Sequence, residues 1–197
     1  MSTRKNIEAQ RKKQRQNKLR TQLIWGGIAL AAVIIVGLIG WRSVRPSSGE
    51  QIPIMANSED HVSPGNDPGP FNSNPPTSGR HYGQSFEAGF YDETSPQAQT
   101  DFPEGYLGHN LEHGYVIFWY NCALLDDTAC ETLKLQIKGV MDEFKGVKLI
   151  AFPSDSVDVP LAMVSWGRLL TFENFDEKLA RDFVSTNRNR SPEPDAD

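Results

Sequence analysis

His109-x-x-Glu112-His113 sets two imidazoles and a carboxylate at i, i+3 and i+4, a spacing that gathers side chains on one face of a helical turn. One turn brings the Cβ atoms of His109 and His113 within about 5 to 6 Å, so both rings can reach one cation. Two imidazoles make a weak donor set, and His81 is the further histidine expected in the folded region. The expected site is a divalent or cuprous metal held by His81, His109 and His113, with Glu112 as a ligand or as the acceptor that fixes a histidine tautomer. Zinc suits these donors. Copper follows if the thioether of Met163 faces the same point, because soft ligands select Cu(I). His61 falls in a Pro- and Gly-rich stretch and is read as standing apart. The competing reading has these side chains satisfying the polar end of a strand, with Glu112 paired to Arg80 or Arg168. The same spacing occurs in inverted zinc proteases, but Gly108 and Gly114 leave room for about one helical turn, too little for that motif.

Cys122 and Cys130 are the only cysteines. They bracket one short loop, and closing such a loop stabilises a fold by about 2.5 kcal/mol in the chain-entropy description. A structural disulfide is expected. Redox pairs use Cys-x-x-Cys, whereas seven residues separate these two, which removes the shared helix N-terminus that would depress a thiol pKa. No nucleophile elbow, Gly-rich phosphate loop or dinucleotide fingerprint is present, so hydrolase and nucleotide-dependent readings have no support in the sequence.

The elements that must position these residues begin with Tyr115-Val116-Ile117-Phe118-Trp119-Tyr120, β-branched and aromatic throughout and of strand length. A helix follows the cysteine loop, with Thr128 and Glu131 as a capping box and Leu133, Ile137, Val140, Met141 and Phe144 on one face. Residues 147–152 form a second strand, and residues 159–166 and 169–172 a hairpin around Gly167-Arg168. A last helix starts at Asn174, capped with Glu177. A helix between the first two strands makes them parallel through a right-handed crossover, and the hairpin adds an antiparallel edge. The fold class is therefore α/β, or compact α+β, with a thioredoxin-like β-α-β-β-β-α sandwich expected after a long Pro- and Gly-rich arm. Residues 83–107 are aromatic without a regular period and read as a covering loop.

Residues 1–20 carry eight basic side chains against Glu8 alone, a net +7, whereas the chain after Arg45 is about −14. Between them residues 23–41 hold no charge and would span about 28 Å as a helix at about 1.5 Å per residue, matching a bilayer core. Trp25 and Trp41 mark its interfaces, and the cationic flank keeps the N-terminus cytoplasmic. A cleaved signal peptide has a shorter apolar region and a small-residue cleavage site, where this chain has Trp41-Arg42. The run Arg11-Lys12-Lys13-Gln14-Arg15 resembles a nucleic-acid patch on charge alone, but no aromatic interleaves it, and no nucleic-acid partner is expected. The domain plan is a basic head (1–22), a transmembrane helix (23–41), a flexible linker (42–73), an extracytoplasmic domain (74–190) and a disordered tail (191–197).

Four ordered motifs carry a resemblance. Pro75-Pro76-Thr77-Ser78-Gly79-Arg80-His81-Tyr82, Gly89-Phe90-Tyr91, His109-Asn110-Leu111-Glu112-His113-Gly114, and Ala162-Met163-Val164-Ser165-Trp166-Gly167-Arg168 with the closing Pro192-Glu193 are similar to those of the bacterial family called domain of unknown function 3105. The resemblance implies a membrane-anchored exported domain with no established activity. It singles out His81, His109, Glu112 and His113, and the cysteine loop is optional within it.

The leading expectation is a membrane-tethered extracytoplasmic domain that binds a ligand, with zinc or copper as the candidate cofactor. A metal-dependent enzyme of the cell envelope, and an interaction module contacting another envelope protein, are the alternatives. On this topology, external protease added to intact spheroplasts removes the C-terminal domain; protection of that domain would reverse the assigned orientation.

Overall fold

The structure, a computed structural model, describes Lys18 and residues 20–37 and 46–196. Most of the basic head, together with Trp41, Arg42 and Arg45, lies outside the described residues. The chain divides into two compact units, Met1–Arg45 and Pro46–Asp197. In the first, helix α1 (Arg20–Gly37) is long and apolar enough to cross a membrane, with its large side chains exposed.

The second unit has the expected mixed α/β character. Its strands are β1 (Glu50–Gln51), β2 (His61–Val62), β3 (His81–Tyr82), β4 (Gly89–Phe90), β5 (Val116–Tyr120), β6 (Leu149–Pro153), β7 (Leu161–Ser165) and β8 (Arg168–Phe172). Its helices are α2 (Pro103–Glu112), α3 (Asp127–Glu143) and α4 (Glu177–Asn187). The order from β5 onward is the strand, helix, strand, strand, strand, helix expected from the apolar periodicity. β5 and β6 are parallel across α3, while β7 runs antiparallel to β5 and β8 antiparallel to β7. The six-stranded sheet runs β1-β8-β7-β5-β6-β4.

The sheet is buried on both faces. Val116, Phe118 and Tyr120 of β5 pack with Leu133, Ile137 and Val140 of α3 and Phe183 and Val184 of α4. Ile117 and Trp119, one residue out of phase, pack with Leu107 and Leu111 of α2. Alternation along β5 thus divides one apolar run between two cores, which is why every residue of it is apolar.

Several expectations are corrected. The caps are Asp126 for α3 and Asp176 for α4, whose carboxylates accept from the Ala129 and Leu179 amides at 2.8 and 3.0 Å. An aspartate at the N-cap satisfies an orphan amide directly; it is a stronger cap than threonine at α3, and at α4 it stands two residues nearer the helix than Asn174. The segment read as a flexible linker is laid on the domain from residue 46. β1 pairs with β8, and β2 pairs in parallel with β3. Side chains replace the hydrogen bonds such a Pro-rich chain cannot make with itself: Asn72 Oδ1 accepts from the amides of Thr77 and Ser78, both at 3.1 Å, and Ser78 Oγ accepts from the Met55 amide. The tail, read as disordered, is held too. The backbone N–H of Asn189 donates to the Gly114 carbonyl and that of Glu193 to the Glu112 carbonyl. Lys148 Nζ donates to the carbonyls of His113, Pro194 and Ala196 at 3.0, 2.8 and 2.8 Å.

Cys122 and Cys130 form a disulfide with a Cα separation of 5.3 Å, closing the turn between β5 and α3. Replacing both by serine is expected to cost about 2.5 kcal/mol. That corresponds to a thermal midpoint lower by about 5 to 10 °C in a domain of this size, read by circular dichroism. An unchanged midpoint would show that the bond constrains nothing.

Candidate metal centre

The site is built where α2 crosses the β2–β3 pair. α2 starts with Pro103 in the first turn, where its missing amide hydrogen costs nothing, and runs without interruption to Glu112. It therefore extends well N-terminal of the single turn expected between Gly108 and Gly114. Both glycines in its interior face β3. A Cβ at Gly105 would lie 2.4 Å from the Tyr82 ring, and one at Gly108 would lie 2.7 Å from the Cβ of His81. Glycine weakens an isolated helix by about 1 kcal/mol relative to alanine. Here it lets the helix backbone press against the strand that carries His81. Asn110 holds the opposite side: its side chain exchanges two hydrogen bonds, of 3.0 and 2.8 Å, with the backbone of Phe86 in the covering loop.

Glu112, at the last turn of α2, is the hub. Its side chain is only 5% exposed, and its Oε2 lies 3.0 Å from His81 Nε2, 3.6 Å from His109 Nδ1 and 3.6 Å from His61 Nε2. His81 is fully buried, His109 is 14% exposed and His61 is 48% exposed, so the group opens to solvent on the His61 side. The three rings contact one another with centroids 4.8 to 5.4 Å apart. One donor atom from each of His61, His81, His109 and Glu112 falls within 4.8 Å of every other, a grouping that could hold a metal ion.

The hydrogen bonding of His81 shows what the group lacks. Its Nδ1 lies 3.1 Å from the Gly79 carbonyl, which can only accept, so the ring carries its hydrogen there. In the neutral ring Nε2 is then a bare lone pair, yet it faces the Glu112 carboxylate at 3.0 Å. Two acceptors at that distance need a cation between them, a proton or a metal. His109 is equally incomplete, because its buried Nδ1 has no hydrogen-bond partner. Burial, with smaller contributions from His113 and His81, pushes the His109 pKa down to about 4, so this ring is neutral at neutral pH.

Of the expected ligands, His81, His109 and Glu112 come together. His113, the C-cap of α2, lies against His109 with ring centroids 4.3 Å apart and planes tilted by 50°, but groups with Glu112 and Glu193. Met163 packs in the apolar core with α3 and α4, on the opposite sheet face from α2. Arg80 and Arg168, the alternative partners for Glu112, donate to the Gly69 and Gly49 carbonyls. His61 is the donor that sequence reasoning missed. β2 and β3 pair for two residues each, with His61 directly opposite His81, and no periodic signal marks so short a bridge.

The family described as protein of unknown function (DUF3105) matches residues 63–197, a span that contains His81, His109, Glu112 and His113 and stops just short of His61. No curated protein and no solved structure matches the chain.

The depressed His109 pKa sets a direction for acid stability. The folded state binds fewer protons than the unfolded chain between about 6.5 and about 4, so the His109 contribution is complete above about 6.5 and is lost as pH falls through that window. In chelator-treated protein, His109→Gln is therefore expected to flatten the fall of the thermal midpoint between about pH 6.5 and about pH 4. Identical slopes for the variant and the parent would show that His109 titrates normally.

Proposed function

The chain belongs to that family, whose description carries no activity, and from the site itself we propose that this protein is a membrane-tethered extracytoplasmic metal-binding protein. Its metal is a divalent transition ion held by His61, His81, His109 and Glu112. The observation that carries this reading is the geometry around Glu112 Oε2. Nitrogen and oxygen ligands at about 2.0 to 2.1 Å from a tetrahedral ion stand about 3.3 Å from one another. The three nitrogen distances to that oxygen, 3.0, 3.6 and 3.6 Å, bracket this value. The bond from His81 Nδ1 to the Gly79 carbonyl is the outer-shell contact that orients a ligating imidazole and leaves Nε2 free for metal. A neutral His109 has no proton to lose on binding.

Three imidazoles and one carboxylate suit zinc, with Cu(II) the stronger competitor in vitro. The thioether of Met163 belongs to the far core, so the soft ligand that would select Cu(I) is not part of this donor set. The tether of this reading is α1, and the cationic head supports an orientation with the N-terminus in the cytoplasm. The sheet order β6-β5-β7-β8, with parallel, antiparallel and antiparallel pairs, supports a thioredoxin-like core in which residues 154–160 connect β6 to β7.

Full-length protein in detergent micelles, loaded with Zn(II) and desalted, should retain the ion at His61/His81/His109/Glu112. His81→Ala and Glu112→Gln are each expected to weaken Zn(II) binding at least tenfold, measured against a competing chelator, and saturating Zn(II) should raise the midpoint of the parent by several degrees. Unchanged Zn(II) affinity in both variants, with folding verified by circular dichroism, would refute the assignment.

A further inference from the structure

We infer that Glu112 bridges two cation sites, the second formed by Glu112, His113 and Glu193; this rests on the reading of the first site given above. A carboxylate oxygen of Glu112, a ring nitrogen of His113 and a carboxylate oxygen of Glu193 lie within 4.8 Å of one another. His113 Nε2 and Glu193 Oε2 are 3.6 Å apart, the same spacing that two of the nitrogens of the first group keep from Glu112.

Three features place these donors deliberately. The tail bearing Glu193 is fastened to the helix it faces, since the Glu193 amide donates to the carbonyl of Glu112 at 3.1 Å. Lys148 clamps the same junction by donating to carbonyls on both sides of it, at His113 and at Pro194. The His113 and His109 rings meet at a tilt of 50° with centroids 4.3 Å apart, which puts the imidazoles of the two groups in contact, so ions in both would be close neighbours. In two-metal sites the ions stand about 3.5 to 4 Å apart, a span that one carboxylate bridges with its two oxygens.

The second position lies at the C-terminus of α2, where the helix dipole favours positive charge. It has one imidazole and two carboxylates against three imidazoles and one carboxylate in the first. It is thus the harder site and accepts divalent ions such as Mn(II) as well as Zn(II). It is also the weaker one, because only three protein donors serve it and the Glu193 side chain is 59% exposed. The sites should fill in order, first the histidine-rich one and then the tail site. Two divalent ions against two carboxylates leave an excess of positive charge, so the pair would recruit a small anion such as hydroxide or an oxyanion.

The test is a stepwise Zn(II) titration of full-length protein in micelles, followed by Cu(II) loading and electron paramagnetic resonance. Expected are two ions per chain, the second at least tenfold weaker, and a spin-coupled Cu(II) pair. Glu193→Gln, an exposed substitution, should remove the second ion and the coupling and leave the first ion bound. A single ion that His81→Ala removes and Glu193→Gln does not would overturn the second site while leaving the proposed function intact. Two ions without coupling, or a second ion indifferent to Glu193→Gln, would overturn the bridge. Failure to bind any ion would overturn the first site and this inference together.

Discussion

A carboxylate withdrawn from water must be compensated, and Glu112 is the group around which this domain solves that requirement. Burying an unpaired carboxylate costs several kcal/mol, more than most single contacts return. Among the described residues Glu112 meets no arginine or lysine. It meets three imidazoles, groups that are cationic only when protonated, and one of them is held neutral by its own burial. Charge balance is therefore conditional on something bound among them, whether protons or a metal. The glycine-lined face of α2, the short β2–β3 bridge and the anchored tail are the means by which that dependence is brought to one place.

Polar contacts also order a good deal of irregular chain. Residues 46–80 have the composition of a segment that cannot bury enough apolar surface to offset its ordering entropy. They are fixed by side chains that stand in for backbone partners, with Asn72 tying its own loop together and Ser78 receiving the Met55 amide. The tail depends in the same way on Lys148, whose ammonium gathers three carbonyls. Order in these segments is polar in origin.

That division also describes what could be read from the residues. β5, α3, β6, the β7–β8 hairpin and α4 announce themselves through apolar periodicity, and their sequence order determines that β5 and β6 are parallel. His81, His109 and Glu112 were legible because spacing and helical pitch bring two of them together and folded-region histidines are few. What failed did so for identifiable reasons. Met163 lies in a strand buried on both faces, so no alternation told which core its side chain enters. Gly108 looked like a helix boundary because the strand that requires its missing Cβ lies 27 residues upstream. His61 pairs with His81 across 20 residues, in a bridge too short to leave a pattern.

The fastening of the tail gives the end of the chain an unusual standing. Glu193 is followed at once by Pro194 and, two residues on, by Ala196, whose carbonyls are already bound to Lys148. The chain that follows Ala196 therefore leaves from beside the group of Glu112, His113 and Glu193. A polyhistidine extension there would carry a row of imidazoles to within a few residues of Glu193 and compete for any ion the proposed sites take, so recombinant versions should carry their affinity handle elsewhere. Proteolytic trimming of a handful of C-terminal residues would, by the same proximity, remove Glu193 from beside His113 before it reached any strand or helix.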